Sequence, residues 1–440
     1  MSTALFKLTY MKQENIMQYS KEIPVVGKYD VVVLGGGPSG VCAAIEAARN
    51  GTKVLLVESY GMLGGMATSG LVGPFMTNYD QKGERPVVGG IYREILERLE
   101  QYHAVVLPEH TDAPSIYTSF IEKYHRRVAP VDPFVLQIVL DELVKESGAT
   151  TLLYTRFVDA IHRDGKIQSV VLAALEGLVS VEADLFIDCT GNADVAAAAG
   201  VPTWKGEEES GVPQPGTLMF EIEGVDDSRY HERPERPVKA YRMPQEGRYK
   251  VNHHHVYSVD ATSSESMTEA HMQARYQVLE AYRTLKEQTP GFENARITQV
   301  ASVLGVRESR HIEGEYKITT EDLTQGIKYD DRIAAYAFGM DIHGRNESMK
   351  GNFKVPTANV YYVPYRCMLP IGCKNLLVAG KTVCCESQAA GAIRVMPCAM
   401  AMGQAAGAAA SMAASQSITL NEVSVAELQT VLENHGAILD

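Results

Sequence analysis

Six residues near the start of the chain, Gly35-Gly36-Gly37-Pro38-Ser39-Gly40, have the spacing that grips a diphosphate. The first glycine permits a tight turn, the third position lets backbone approach the phosphates, and the sixth lets a helix pack closely on a strand. A helix beginning there adds unpaired N–H groups and the positive end of its dipole. Glu58 closes the next apolar run, where a carboxylate can accept hydrogen bonds from a ribose. A second glycine-rich stretch, Gly61 to Gly70, follows at once. It lets backbone pass along a large flat ligand, as an extended FAD crossing a sheet requires and a nicotinamide nucleotide does not. Two later stretches agree: Asp188 to Asp194 turns from an apolar run into a helix, and Ala390 to Pro397 leads into another that Pro397 helps to start. The positive end of that last helix can lie against the N1–C2=O edge of an isoalloxazine.

Side chains able to bind or activate a substrate lie in the second half. Arg307 and Arg310 can clamp a carboxylate or polarise a carbonyl, or pair with Glu308 and Glu313 as a structural network. His253 and His255, from a run of three histidines, would share one face of a strand as acid and base or as metal ligands, or would be ordinary satisfied or surface histidines. No Cys or carboxylate stands nearby at ligand spacing, so no metal site is expected. Arg394 precedes the last small-residue helix, where a cation favours reduced flavin; burial by ion pairing is the alternative. Asp341 and His343 alternate along a predicted strand and form a further pair. Cys384-Cys385 invites a redox reading, but a vicinal disulfide is strained and cysteine is a common small buried residue.

These groups need elements to hold them. Tyr29 to Leu34 is a short apolar, β-branched run; Ser39 to Asn50 has helical composition closed by Gly51; Lys53 to Val57 is a second strand. Strand, turn, helix, strand is a βαβ unit and implies a parallel sheet. Helices are expected at Gly90–His103 and Phe134–Ser147, then strands at Thr151–Tyr154, Phe157–His162, Lys166–Ala173 and Leu178–Ile187, with an Asp164-Gly165 hairpin turn. Lys205 to Gly216 reads as a loop leaving this domain. Beyond it come a long helix at Thr268–Gln288, a strand at Asn375–Ala379, and helices at Cys398–Ala414 and Glu422–Asn434. The fold class is α/β: a Rossmann-like FAD-binding domain, a parallel sheet with helices on both faces plus a β-rich insertion, joined to a mixed α+β substrate domain. The expected division is an extension at 1–28, the FAD-binding domain at 29–204 and 358–440, and the substrate or cap domain at 205–357.

Composition excludes several classes. In 440 residues, 45% hydrophobic and 22% charged is an ordinary globular balance. Acidic residues outnumber basic ones 54 to 41, which argues against nucleic acid or an anionic membrane as partner. Ala389 to Ala414 is small-residue rich but carries Arg394, Pro397 and Gln404, so it suits a buried helix rather than a membrane span. Seven cysteines form no disulfide framework, and Met1 to Lys28 has no apolar signal core. A soluble, cytoplasmic protein is expected.

Together these motifs resemble the FAD-dependent oxidoreductases of the glutathione-reductase type, often labelled after fumarate reductase flavoproteins. The likeness runs from Tyr29 to Ala414. It is carried by GGGPSG, LGGMATSGLV (63–72), DCTGNADVAAAAGVP (188–202), QPGTLMF (214–220), GVRESRHIEGEY (305–316), MDIHG (340–344) and NLLVAGKTVCCESQAAGAIRVMPCAMAMGQAAG (375–407). The resemblance implies one FAD, its diphosphate at Gly35, Gly37, Pro38, Ser39 and Gly40 and its ribose at Glu58 and Ser59. It further implies Leu63, Gly64, Gly65, Met66 and Ala67 along the cofactor, backbone of Val158 at the adenine, and Thr190, Gly191 and Asp194 lining the site. Gly380, Val395 and Met396 would lie toward the flavin. The chain lacks a Cys between Cys42 and Cys189 and a second G-x-G-x-x-G after a strand, so neither a disulfide reductase nor a built-in NAD(P)H domain is expected. The expected activity is hydride transfer between flavin N5 and a small polar substrate such as a sugar or hydroxy acid, with Arg307, Arg310, His253, His255 and Arg394 as catalytic candidates. A flavin monooxygenase or oxidase is the nearest alternative, then a flavin-bearing electron-relay subunit. Expected partners are the substrate, an electron donor or acceptor, and another copy of the chain.

Overall fold

The apolar runs flanking the glycine turn become the centre of a seven-stranded sheet in the computed structural model, which describes residues 17, 20–111, 126–230, 239–346 and 352–440. Much of the N-terminal extension, residues 1–16, 18 and 19, lies outside the described residues. The first elements are β1 (Val25–Leu34), α1 (Pro38–Arg49), β2 (Val54–Val57), α2 (Ile91–Gln101), α3 (Pro133–Ser147), β3 (Thr150–Leu152), β4 (Arg156–Arg163), β5 (Lys166–Ala174), β6 (Gly177–Asp188) and α4 (Asp194–Ala198). Next come β7 (Thr203–Lys205), β8 (Phe220–Glu223), α5 (Asp227–Tyr230), β9 (Ala240–Arg242), β10 (Tyr249–Val251), α6 (Ser264–Gln288), β11 (Arg296–Val300), β12 (Arg310–Ile312) and α7 (Thr320–Gln325). The last are β13 (Arg332–Tyr336), β14 (Met340–His343), β15 (Asn352–Val355), β16 (Tyr361–Pro364), β17 (Leu376–Val378), α8 (Ser387–Ile393), α9 (Met396–Gln416) and α10 (Val425–Asn434).

Strands β3, β2, β1, β6 and β17 run parallel, and β6 continues into an antiparallel meander with β5 and β4. Because side chains alternate across a strand, each central strand feeds two cores. Val31, Val33, Val54 and Leu56 meet α1, α3 and α9 on one face. Val32, Leu34, Leu55 and Val57 meet α4 and the meander residues Ile167, Val170 and Leu172 on the other. Continuous apolar runs are what a sheet buried on both faces requires. The expected hairpin turn forms, with Asp164 and Gly165 both at positive φ, 52° and 72°.

The small-residue segment forms α9, which lies directly on α1. A Cβ added to Gly403 would fall 2.0 Å from the Ser39 carbonyl oxygen, and one on Gly407 would fall 2.3 Å from that of Ala43. Glycine there lets two backbones meet, and among the described residues no helix is long and apolar enough to cross a membrane. Helix α6 starts one turn before the predicted Thr268, because the Ser263 side chain caps it by accepting from Ser266 N. It lays Ala270, Ala274, Val278, Ala281 and Leu285 on the four-stranded sheet β11-β8-β10-β9, building a separate core with Phe220, Ile222, Tyr249 and Phe292. That sheet roofs the region where Gly73, Val306 and the start of α9 converge.

Candidate active site

The glycine turn leaves β1 at Gly35, whose φ of +100° and would-be Cβ, 2.4 Å from the Cys189 carbonyl oxygen, admit only glycine. Gly40 is equally constrained, since a Cβ there would fall 1.8 Å from the Gly35 carbonyl oxygen. Gly37 differs: a Cβ on it would meet nothing within 4 Å. Packing of the protein therefore demands glycine at the first and last positions, whereas the middle one borders open space above the N-terminus of α1. Pro38 and Ser39 open this helix, which has no side-chain cap and no acid in its first turn, so its leading amides are available to an anion. Ser39 Oγ donates to the Ala379 carbonyl at 3.3 Å, tying the turn to Gly380, itself at φ +98°.

Glu58 is buried at the end of β2, where its carboxylate accepts from Gly36 N at 2.7 Å, Ser59 Oγ at 2.9 Å and Tyr60 N at 2.8 Å. Leu63 packs in the core against Gly36, and Gly64 N donates to the Gly36 carbonyl at 2.8 Å, which lays Gly64, Gly65, Met66 and Ala67 beside the first turn. Val158 lies on β4 at a register shift between Phe157 and Asp159, a bulge that takes its backbone out of the ladder while its side chain is half exposed.

The Asp188–Asp194 turn is organised by Asp188, which is fully buried and accepts from Thr190 N, Thr190 Oγ1, Val195 N and Ala196 N. Burial pushes its pKa up, against those hydrogen bonds. Thr190 Oγ1 also accepts from Asp194 N, so these side chains hold the turn. Gly191, at φ +76°, is the member that leaves backbone uncovered beside Lys381.

A cavity of about 200 Å³ begins where these pieces end. Met66, Val395, Met396 and Pro397 form its wall toward the dinucleotide turn; Thr217, Tyr241 and Asn252 come from the section after Lys205. Four cationic side chains line it, Lys239, Arg307, Lys381 and Arg394, against one carboxylate, Asp341. Arg307 donates through Nη1 to the Pro215 carbonyl at 2.7 Å and Thr217 Oγ1 at 2.8 Å, and Lys381 Nζ donates to the Val306 carbonyl at 2.8 Å. Burial first, then the neighbouring Arg394 guanidinium, lowers the Lys381 pKa to about 8 and presses that of Arg307 down to about 9. Arg394 Nη2 donates to the Asp341 carbonyl oxygen at 3.2 Å and lies 3.5 Å from its carboxylate.

Asp341 and His343 share one face of β14, as their alternation predicts, with Asp341 Oδ2 3.0 Å from His343 Nε2. His343 Nδ1 lies 2.9 Å from His255 Nε2. Burial is the main cause lowering the pKa of both imidazoles, His255 to about 3, with Arg307 adding to it.

Other candidates are corrected. His253 and His255 do not share a strand face, because β10 ends at Val251. His253 stacks edge-on against His254, centroids 4.4 Å apart, and is not among the residues lining the cavity. Arg310 brackets the Asp188–Asp194 turn, donating to the Asn192 carbonyl at 3.1 Å and Asp194 Oδ1 at 2.8 Å, and is not among the residues lining the cavity. Glu308 pairs with neither Arg307 nor Arg310; it is buried against Arg345 at 3.0 Å and Ser387. Cys384 and Cys385 are buried free thiols, and the Cys385 Sγ lies 3.5 Å from His311 Nδ1. Sequence reasoning passed over Lys381, whose signal was a lone cation between the apolar runs Leu376–Ala379 and Val383–Cys385.

Dihydrolipoyl dehydrogenase of Trypanosoma brucei brucei is 57% identical over 42 residues, 10% of this chain and 9% of that protein. Digeranylgeranylglycerophospholipid reductase 2 of Methanothermobacter thermautotrophicus is 27% identical over 188 residues, 40% of this chain and 43% of that protein. The chain thus spans under half the length of either relative. Among solved structures, a geranylgeranyl bacteriochlorophyll reductase-like protein of Thermoplasma acidophilum aligns at TM-score 0.46 and 15% identity over 93% of this chain and 83% of that one. A p-nitrophenol 4-monooxygenase of Pseudomonas putida aligns at TM-score 0.47 and 11% identity over 93% and 84%. The FAD dependent oxidoreductase family matches residues 30–432, and with the glycine turn, the open face of Gly37 and the uncapped α1 in place, this chain belongs to that family and uses FAD.

Proposed function

We propose that this chain exchanges a hydride between FAD and a small hydroxy acid whose carboxylate binds Arg307, Lys381 and Arg394. FAD supplies the two-electron acceptor or donor when bound. Its diphosphate would be held by the amides of Gly35–Gly40, its ribose by Glu58 braced by Ser59, and its adenine by backbone at Val158. Leu63–Ala67, Gly191, Gly380, Val395 and Met396 would line the remainder. The meander β4–β5–β6 set into the parallel sheet supports placing the chain with the glutathione-reductase type.

The observation that carries the substrate reading is a charge imbalance. Arg307 and Lys381 are largely buried yet donate only to neutral oxygens. Burying charge with incomplete compensation is costly, and Asp341 is the one carboxylate lining the cavity against four cations, so the cavity favours an anionic ligand over a neutral sugar. Asp341, beside the cavity and bonded to His343, is the group able to take or return the hydroxyl proton.

The test is anaerobic mixing of the FAD-loaded protein with 2-hydroxy acids and with uncharged polyols of the same size, following bleaching of the flavin band. Hydroxy acids should bleach it and polyols should not, and Arg307→Gln should weaken the acid's Kd by roughly 10- to 100-fold. Lys381 is protonated below about pH 8, so affinity should fall as pH rises past that value, and Lys381→Arg should move the start of the decline up toward the pKa of Arg307, about 9. Equal bleaching by the polyols overturns this reading, and oxygen-dependent hydroxylation of the substrate instead would assign a monooxygenase.

A further inference from the structure

Helix α6 has two long faces, and the chain covers only one of them. Ala270, Ala274, Val278, Ala281 and Leu285 pack on the roofing sheet. On the opposite side Met272, Tyr276 and Leu279 are 48%, 76% and 48% exposed. With the exposed Glu269 and Arg283 they form one stripe whose spacing alternates three and four residues. That alternation is the seam of a coiled coil, in which each member faces a partner helix. A surface helix ordinarily turns charged and polar residues to water on this side, whereas Tyr and Met are enriched where proteins meet. Among the described residues no ion pair or hydrogen bond engages the Glu269 or Arg283 side chain. Other exposed charges of the same unit are paired, Arg229 with Glu293 at 2.8 Å and Arg296 with Glu223 at 2.7 Å.

We propose that this stripe is the contact between two copies of the chain, related by a two-fold axis at Tyr276 with the two α6 helices antiparallel. A two-fold contact is self-complementary, so a residue before the axis meets one equally far beyond it on the other copy. Tyr276 is midway between Glu269 and Arg283 in the sequence, and Met272 and Leu279 stand inside that pair on either side. Glu269 therefore faces Arg283 of the partner subunit, Met272 meets Leu279 of the partner subunit, and the two Tyr276 rings meet at the axis. Two ion pairs then flank an apolar centre, the core-and-rim order of protein interfaces. A parallel arrangement would instead set Glu269 against its own copy and Arg283 against its own copy, a repulsion at each end. Glu265 and Glu287, which the same axis opposes, lie beyond this core at the ends of α6, where solvent screens them. A seam this short falls at the small end of stable interfaces, so a dissociation constant on the order of micromolar is expected.

Sedimentation of the FAD-loaded protein from about 1 to 100 µM should show reversible exchange between monomer and dimer. Tyr276→Glu places two like charges at the axis and should leave a monomer throughout. Glu269→Arg sets a second cation against Arg283 and should weaken the dimer by roughly 10-fold or more. Adding Arg283→Glu to it restores opposite charges and should restore the dimer. These positions are exposed, so thermal melts and flavin content should match wild type in every variant, which separates a lost contact from a lost fold. Cysteine placement reads the orientation, because the seven native cysteines are buried. Tyr276→Cys should cross-link two chains on mild oxidation. Glu269→Cys should not, since its two copies would stand about 21 Å apart along antiparallel helices. A wild-type monomer at about 100 µM overturns the proposal, and so does a dimer that Tyr276→Glu leaves intact or a double charge variant that does not recover. Efficient cross-linking of Glu269→Cys would overturn the antiparallel arrangement.

Discussion

Glycines of one motif answer to different constraints, and mutation should separate them. Gly40→Ala drives a Cβ to 1.8 Å from a backbone oxygen, so it should cost about 3 kcal/mol of folding stability, as overpacking does. Gly37→Val adds its side chain where the protein has no atom within 4 Å, so the apo-form should unfold within about 0.5 kcal/mol of wild type. The same variant should lose its yellow colour on purification, because the branched side chain occupies the approach to the α1 amides. Denaturant melts of apo-protein together with the flavin-to-protein absorbance ratio check both. Full flavin retention in Gly37→Val would contradict diphosphate binding at this turn. The pattern was readable in advance because positive φ and close backbone approach are local demands. Asp188 was placed in a cofactor turn by its neighbours, yet its own work, four hydrogen bonds that shape the turn, depends on burial that spacing does not report.

Among elements, α1 and α9 stand out because the helix that follows the glycine turn is pressed against a stripe of small residues from more than 350 positions later. Gly403→Ala would bring a Cβ to 2.0 Å from the Ser39 carbonyl oxygen. It should destabilise the fold by about 2–3 kcal/mol, and by moving Ser39 it should also weaken flavin retention. A variant at the exposed end of the same helix, Ser415→Ala, should do neither; thermal melts and flavin content of the pair make the comparison. Composition identified α9 as a buried helix, but its partner was not legible, since small residues indicate close approach without naming what approaches. The ends of α6 and α10 moved for a local reason: Ser263 and Ser424 accept from amides three positions on and so set the first turn.

On the scale of the molecule, one carboxylate ties helix α3 of the seven-stranded-sheet unit to the four-stranded roofing sheet. Asp132 caps α3 through Oδ1, accepting from Phe134 N and Val135 N, while Oδ2 accepts from Gln245 Nε2 at 2.9 Å and lies 3.6 Å from Arg248. Gln245 and Arg248 flank the turn between β9 and β10 of the roofing sheet, and Arg248 also reaches the buried Glu221 at 3.2 Å. Asp132→Asn keeps an oxygen for the cap but removes the charge facing Arg248, and should cost about 1 kcal/mol. Asp132→Ala should add roughly another 1 kcal/mol for the lost cap. Urea melts would show both steps, and equal losses in the two variants would mean that the link to the roof contributes nothing.

The chain announced its cofactor and its α/β class from contiguous stretches, because a glycine turn, the strand before it and the helix after it obey rules spanning a few residues. Asp341 and His343 were paired for the same reason, two positions apart on a strand. Which groups share the cavity was a matter of folding. Arg307 and Arg394 entered it while Arg310 turned toward Asp194, and of the histidine run His255 found His343 whereas His253 stacked on its neighbour. Those choices follow from how β14 is seated against α8 and how β10 ends short of the histidines. Such placements are set by the packing of whole cores, and a local pattern carries no record of them.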